Sequence, residues 1–517
     1  MKYALLFLLS FALILSACEE SKPKTESQEK PKSKIAKEAS GYELSKKYCV
    51  TCHAYPKPEM LDTWTWKNVV LPQMGMRYGI YEDEERREME FSASTEEGKK
   101  IIEEAQVFPK EALMERADWE KIKSYYLSKS KKDFELPKRI AIPERTDLFA
   151  AKFPSELAGQ GGAVLVEFDA DERLIVSESK GTGLKSYKKG LKLEKEDNVA
   201  IAISHRKKID GASYLLSMGQ VFPTDDPKGA LIRLEANGKT KVLIDKLQRP
   251  VYASYADFDQ DGKLDVLISE FGYQTGQLSL FLNQGSDVYK RKKLNAKPGS
   301  MRSVIRDINS DSIPDVVVLS AQGDEGITAY INDGNANFTS KSLLRFPPMY
   351  GSSYFEFVDL NGDDLEDIIY TCGDNADYDP ILKPYHGVYG YINKGDYRFS
   401  QLFFEYLNGA YSAKVSDFDK DGDIDVAAIS FFPDFKDYPQ ESFVFLENQG
   451  NWNFKKSSIP EYSSGRWLTM DMGDWDGDGD DDLVLSHMWF PAYPENKNLD
   501  NYWQQNAKPF MLLENIK

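Results

Sequence analysis

Positive charge is in short supply in this chain. Lys and Arg number 65 against 83 Asp and Glu, a formal charge of −18. That balance excludes nucleic acid as a partner, because holding a phosphate backbone needs a basic surface. Long apolar runs are scarce too: only Tyr3 to Leu15 is apolar enough to meet a membrane, and it is short for a spanning helix. There are four histidines and four cysteines in 517 residues. His205, His386 and His487 are each isolated in sequence, Cys372 stands alone as a small residue for a buried site, and no catalytic constellation emerges. A phosphate loop is missing, and Gly159-Gln160-Gly161-Gly162 precedes a strand instead of linking strand to helix, so it is no dinucleotide fingerprint.

What is present divides the chain into segments. Its length calls for two or three domains, and 41% hydrophobic with 29% charged residues is ordinary for globular protein. Lys2, the apolar run and Leu15-Ser16-Ala17-Cys18 read as an export signal over residues 1–17. The last four residues resemble the lipobox of bacterial lipoproteins. That resemblance implies lipidation of Cys18 as the mature N-terminus; a plain signal peptide with a chance cysteine is the alternative. Glu19 in place of Asp then favours the outer membrane of a bacterial envelope, facing either the periplasm or the surface. Residues 18–40 are nearly all Lys, Glu, Ser, Pro, Gln and Ala, too polar to bury a core, and read as a disordered tether with a reach of roughly 25 Å.

Cys49-Val50-Thr51-Cys52-His53 is the strongest single motif. Two thiols with two residues between them can each form a thioether to a haem vinyl, which puts His53 under the iron. Zinc would need further Cys or His nearby, and the next His is His205. A redox dithiol leaves His53 unexplained. Tyr42 to Tyr48 reads as a helix entering the motif, and Trp119, Ile122, Tyr126 and Leu127 share one face of a closing helix. Residues 41–130 thus resemble a class I cytochrome c, a small all-α domain carrying one haem c. For the sixth iron ligand Met74 leads, in a Trp66-to-Met74 segment similar to that of some bacterial cytochromes c. Met76 follows, with Met60, Met89 and Met114 as remoter options and an open site as the other outcome. A thioether ligand favours electron transfer over ligand binding.

Beyond a Lys-rich linker the pattern changes to short runs of Val, Ile, Leu, Phe and Tyr between turn residues, the mark of many strands. One nonapeptide recurs five times at intervals of about 50 residues, a period that points to a propeller. Positions 1, 3, 5 and 9 carry oxygen ligands: Asp257, Asp259, Asp261 and Asp265; Asp307, Asn309, Asp311 and Asp315; Asp359, Asn361, Asp363 and Asp367; Asp417, Asp419, Asp421 and Asp425; Asp474, Asp476, Asp478 and Asp482. Carboxylates so crowded repel unless a hard cation sits among them, and calcium suits such a loop. Position 6 is glycine at Gly262, Gly422 and Gly479 but Ser312 and Asp364 elsewhere, so three to five ions are expected, with the two exceptions the doubtful sites. The copies resemble the FG-GAP or VCBS repeat of integrin α-heads and bacterial surface propellers. Two degraded units, Ala163 to Ser177 and Asn198 to Ser217, raise the count to seven blades over residues 131–517. The chain ends on a third strand, Phe510 to Asn515, so a strand from Lys138 to Ala151 is expected to close the ring.

The fold class is therefore multidomain: a small all-α cytochrome domain followed by an all-β seven-bladed propeller. The face opposite the Asp loops carries long aromatic connections at 372–387, 431–441 and 487–505. Near the channel lie Arg249, Tyr252, Arg302, Tyr354, Tyr411, Arg466 and Trp467, a candidate ligand face for a glycan or small molecule. Three functions follow from this layout. One is a membrane-anchored electron carrier that docks a redox partner protein or envelope complex. The second is an oxidoreductase binding a substrate or redox cofactor on the propeller, and the third a surface adhesion or glycan-binding module.

Overall fold

The computed structural model describes residues 38–83, 87, 88, 90, 91, 94–159, 162–180, 183–375, 381–492 and 496–517. The export signal, Cys18, nearly all of the tether, Met89 and Tyr493 lie outside the described residues. Residues 40–517 form one compact unit. No helix among the described residues is long and apolar enough to cross a membrane.

The unit opens with helices α1 (Gly41–Tyr48), α2 (Leu71–Arg77), α3 (Glu96–Glu104) and α4 (Arg116–Lys129). A capping box starts α1: Ser40 accepts from the Glu43 backbone and the Glu43 carboxylate accepts from Ser40 N. Crossing of α1 over α4 depends on Gly41, where an added Cβ would come within 2.2 Å of the Lys121 carbonyl oxygen and 2.8 Å of Tyr125 Cβ. Trp119, Ile122 and Tyr126 are buried, as their spacing predicts, against Leu44, Leu61, Trp66 and Leu71. The polar tips of this core are satisfied: Trp66 Nε1 donates to the Pro58 carbonyl at 2.7 Å and the Tyr126 hydroxyl to Pro56 at 2.7 Å.

Beyond the helices the described residues form seven sheets, each of four antiparallel strands. Six are consecutive meanders: β2–β5 (Ala163–Asp169 to Lys192–Asp197), β6–β9 (Ile203–Ile209 to Thr240–Leu247), β10–β13 (Pro250–Ala256 to Tyr289–Asn295), β14–β17 (Ser300–Arg306 to Phe338–Arg345), β18–β21 (Ser352–Val358 to Phe399–Tyr406) and β22–β25 (Ala410–Ser416 to Phe454–Ser457). The seventh combines β26 (Trp467–Gly473), β27 (Asp482–His487) and β28 (Phe510–Asn515) with β1 (Phe149–Lys152), which pairs with β28 in the register Phe149 to Asn515. This is a seven-bladed propeller, its ring closed by a strand from the start of the domain, which completes the seventh blade to the same four strands as the others. Second strands such as β11 (Asp265–Glu270) and β23 (Asp425–Ser430) are buried along their whole length, because neighbouring blades cover both faces.

Three expectations need correction. Closure uses only Phe149–Lys152, not the span from Lys138. The preceding residues form a strap on the sixth blade instead: Arg139 pairs with Asp434 at 2.9 Å and Glu441 at 3.5 Å, and Arg145 with Glu447 at 2.7 Å. The inner strand of the second blade begins at Ile203, not Asn198. The 487–505 connection is not all loop, since Lys497–Asn506 is a helix, α5, capped by Asn496 and seated through Trp503 against Phe435.

Candidate functional site

The thiols of Cys49 and Cys52 are both free. Cys49 sits at the C-cap of α1, half-buried against the helical core. Burial pushes its thiol up to about 11, the reverse of the lowered pKa that an attacking redox dithiol needs. His53 forms one hydrogen bond, from Nδ1 to the Ala54 carbonyl at 2.8 Å. A carbonyl only accepts, so Nδ1 carries the proton and Nε2 keeps its lone pair, the tautomer that ligates a metal. Burial also lowers the His53 pKa, which keeps the ring neutral. Two free thiols, a neutral imidazole and an adjoining apolar cluster are a donor set that fits covalent haem.

The methionines separate by neighbourhood. Met74 packs against the cluster that includes Cys49, as do Met60 and Met114. Met76 turns away into a second cluster with Phe91, Ile102 and Phe108. A residue that sequence reasoning missed is Met349, from the loop between β17 and β18, which is 5% exposed and belongs to the core of the helical domain. Ile381 and Tyr385 of the propeller pack on the same cluster. Polar bonds reinforce this seat. Arg77 donates to Gln274 at 2.8 Å, Thr95 to Asp226 through both N and Oγ1 (2.8 and 2.7 Å), Tyr385 to the Met60 carbonyl at 3.0 Å, and Lys297 to the Cys52 carbonyl at 3.4 Å. Asp324 and Arg345 are close enough to His53 to bias its charge. No signal in the sequence marks these contacts, because each is single and none repeats.

On the opposite face, the five Asp loops join first to second strands. In four of them the first Asp receives backbone N–H groups from positions 5 and 6, as with Asp261 N at 3.1 Å and Gly262 N at 2.8 Å on Asp257, whereas Asp474 receives Gly477 N at 2.7 Å and Gly479 N at 3.1 Å. Position 9 accepts from the Asn that ends the third strand and, in every copy but that of Asp425, from the backbone at position 2: Asn283 N (2.8 Å) and Phe258 N (3.0 Å) on Asp265. That Asn recurs as Asn332, Asn393, Asn448 and Asn515, each donating its backbone N–H to the position-9 Asp. It is a repeat feature visible in the sequence once the register is known.

Three loops gather carboxylate oxygens within 4.8 Å of one another: Asp257, Asp259 and Asp265; Asp417, Asp419 and Asp425; Asp474, Asp476 and Asp482. These are the glycine-bearing copies. Asp259 Oδ1, Asp419 Oδ1 and Asp425 Oδ2 are buried without a donor, and such orphaned acceptors fit a cation. Burial, added to by neighbouring carboxylates, pushes Asp425 up to about 7 and Asp482 up to about 6. In the other two copies an amide takes the place of one carboxylate and donates to another: Asn309 Nδ2 to Asp311 at 2.8 Å and Asn361 Nδ2 to Asp363 at 3.1 Å. Position 6 has positive φ throughout, at +82°, +96° and +94° for Gly262, Gly422 and Gly479, and at +65° and +64° for Ser312 and Asp364. The last two carry a side chain in a conformation that disfavours one.

The candidate ligand face divides in two. Arg249 clamps loops through the Val221 and Gly272 carbonyls, Trp467 Nε1 donates to Tyr462, and Tyr411 packs on Phe431. Arg466, 1% exposed, donates to the Phe431 and Phe490 carbonyls inside a cage of phenylalanines, and burial lowers its pKa to about 9. These four are structural. Tyr252, Arg302 and Tyr354 instead line the central channel, where Arg302 lies 5.2 and 4.6 Å from the two tyrosine rings.

Comparison with known proteins agrees with the repeat architecture. A family model described as FG-GAP-like repeat matches residues 257–318, 307–370 and 417–485. No curated protein matches the chain. Among solved structures, selenomethionine-substituted virginiamycin B lyase from Staphylococcus aureus aligns at 10% identity and a TM-score of 0.42, covering 71% of this chain and 99% of that one. The AfRom2 CNH domain aligns at 8% identity and a TM-score of 0.41, covering 71% and 99%. The chain carries FG-GAP-like repeats within a seven-bladed β-propeller.

Proposed function

We propose that the protein is an exported, lipid-anchored c-type cytochrome that passes single electrons, its helical domain held on a calcium-stiffened propeller. The observation that carries this reading is the Cys49–Cys52–His53 cluster, with both thiols free and His53 Nε2 left as a lone-pair donor by the Nδ1 bond to Ala54. Haem held there would supply reversible one-electron chemistry. Around it the chain's own residues do three things. Cys49 and Cys52 would hold the group covalently, His53 would ligate its iron, and Met74 is the candidate for a second protein ligand. Met349, Ile381 and Tyr385 keep water from the domain's flank.

The propeller acts as scaffold. Its entering-loop face grips the helical domain through Gln274, Asp226, Lys297 and Tyr385, which fixes one orientation for electron exchange. Three calcium ions in the glycine-bearing loops would stiffen the far face, held by Asp257, Asp259 and Asp265, by Asp417, Asp419 and Asp425, and by Asp474, Asp476 and Asp482. Lipidation at Cys18 would keep the assembly at the outer membrane, beside a redox partner. Protein matured in a host competent for cytochrome assembly should exchange electrons reversibly at an electrode. Cys52→Ser should lose most of that signal while the propeller still melts as in the parent. A parent protein without any redox wave refutes the electron-carrier reading.

A further inference from the structure

Six inner strands share one irregularity. In each, a β-bulge interrupts pairing just before the third residue, between Ala163 and Leu165, Ile203 and His205, Pro250 and Tyr252, Ser300 and Arg302, Ser352 and Tyr354, and Ala410 and Ser412. A bulge re-aims the side chain beside it, and the third residues of four consecutive blades meet around the axis. The His205 and Tyr252 rings are 4.1 Å apart, and Arg302 lies between Tyr252 and Tyr354.

These side chains differ in what satisfies them. The Tyr354 hydroxyl donates to Glu356 and accepts from Lys414 at 3.0 Å, so it is fully engaged. His205, Tyr252 and Arg302 make no side-chain hydrogen bond or ion pair among the described residues, and His205 Nδ1 and Arg302 Nε are buried without a partner. No carboxylate among the described residues pairs with the guanidinium directly: Glu356 and Asp471 act on it only from a distance, Glu356 being paired with Lys414 at 3.0 Å and Asp471 accepting from Phe168 N at 2.9 Å. A guanidinium with a buried, unbonded Nε and no carboxylate in direct contact gains from an anion that completes it. Nothing in the belt itself offers a negative charge to it.

We infer that His205, Tyr252 and Arg302 form an anion site at the waist of the propeller channel, for a small oxyanion: a carboxylate, sulfate or phosphate. The planar guanidinium matches two oxygens of such a group. The Tyr252 hydroxyl and a neutral His205 N–H add donors from the two preceding blades, while the tyrosine rings sandwich the cation and hold its fork in place. Neither haem nor calcium enters this assignment, so it stands or falls apart from the electron-carrier reading.

Isothermal titration calorimetry on the intact chain tests it, with inorganic sulfate, inorganic phosphate and succinate at constant ionic strength. At least one of the three should bind saturably at one site per chain, and the ranking distinguishes tetrahedral oxyanion from carboxylate. Arg302→Gln should weaken that binding more than tenfold and Tyr252→Phe by roughly fivefold, as expected for one charge-assisted and one ordinary hydrogen bond. Tyr252→Phe keeps the ring that packs on His205, and so remains informative if Arg302→Gln does not fold. Absence of saturable binding by all three anions overturns the assignment, and so does parental affinity in either folded variant.

Discussion

Replacing Asp419 by Asn should change the sign of its effect on stability with the presence of calcium. Asp419 Oδ1 is buried without a donor, and its carboxyl is held above the usual range by burial and then by Asp421. Without the ion, removing one negative charge from the cluster relieves repulsion. Like charges about 5 Å apart repel by about 3 kcal/mol at an intermediate dielectric, and partial exposure discounts this to about 1 kcal/mol of gain. With free calcium a hundredfold above the dissociation constant, an occupied site stabilises the fold by about 2.7 kcal/mol. The same substitution then forfeits most of that. Over three sites the parent gains about 8 kcal/mol, which moves the melting point of a domain this large by on the order of 10 °C. Scanning calorimetry in EDTA and in calcium should therefore show the variant melting above the parent in the first buffer and below it in the second. Asp363→Asn, in a loop where the Asn361 amide already donates to that carboxylate, should shift the melt equally in both. Equal shifts for Asp419→Asn, or a parent indifferent to EDTA, would refute the cation reasoning.

Other perturbations test the packing and the charges. Gly41→Ala drives a methyl into the Lys121 carbonyl and Tyr125, and should destabilise the helical domain by about 1–3 kcal/mol in chemical denaturation. Met349→Ala lies in the propeller, yet it should cost the helical domain about 2–5 kcal/mol by leaving a cavity in its core; hydrogen exchange on α4 reads this out. Glu325 is buried, accepts from Ser352 and Gly351, and is pushed up to about 7, chiefly by burial. A raised carboxyl pKa favours folding while the group is protonated, so its contribution is full below pH 4.5 and is lost as pH rises through 7. Glu325→Gln does not ionise, and the stability difference between parent and variant should therefore move against the parent by about 3 kcal/mol over that window in urea titrations.

Repetition decided what could be read from the sequence. Five in-register nonapeptides fixed the strands around Asp257, Asp307, Asp359, Asp417 and Asp474, and the glycine at position 6 singled out the three loops whose carboxylates converge. The degraded units were harder. A two-residue turn at Asp210 and Gly211 replaces the acidic loop of the second blade, and without that landmark the sequence reads the inner strand as starting at Asn198 instead of Ile203. The strap that includes Arg139 and Arg145 is tied by ion pairs to Asp434, Glu441 and Glu447, hundreds of residues distant, which no local pattern announces. Met349 is the clearest case. Its surroundings in the chain are propeller turn, and its environment in space is the helical core. The ligand face looks like one surface in the sequence because every member sits near an entering loop; backbone carbonyls that only tertiary packing supplies absorb Arg249 and Arg466.

The central claim is covalent haem at one motif. Alkaline pyridine treatment of the mature chain, purified from a host with cytochrome-maturation machinery, should give the reduced haemochrome spectrum of a c-type centre at one equivalent per chain. Cys49→Ser combined with Cys52→Ser should abolish it. A chain that comes through maturation with no haemochrome, or a double variant that retains a full equivalent, would contradict the account.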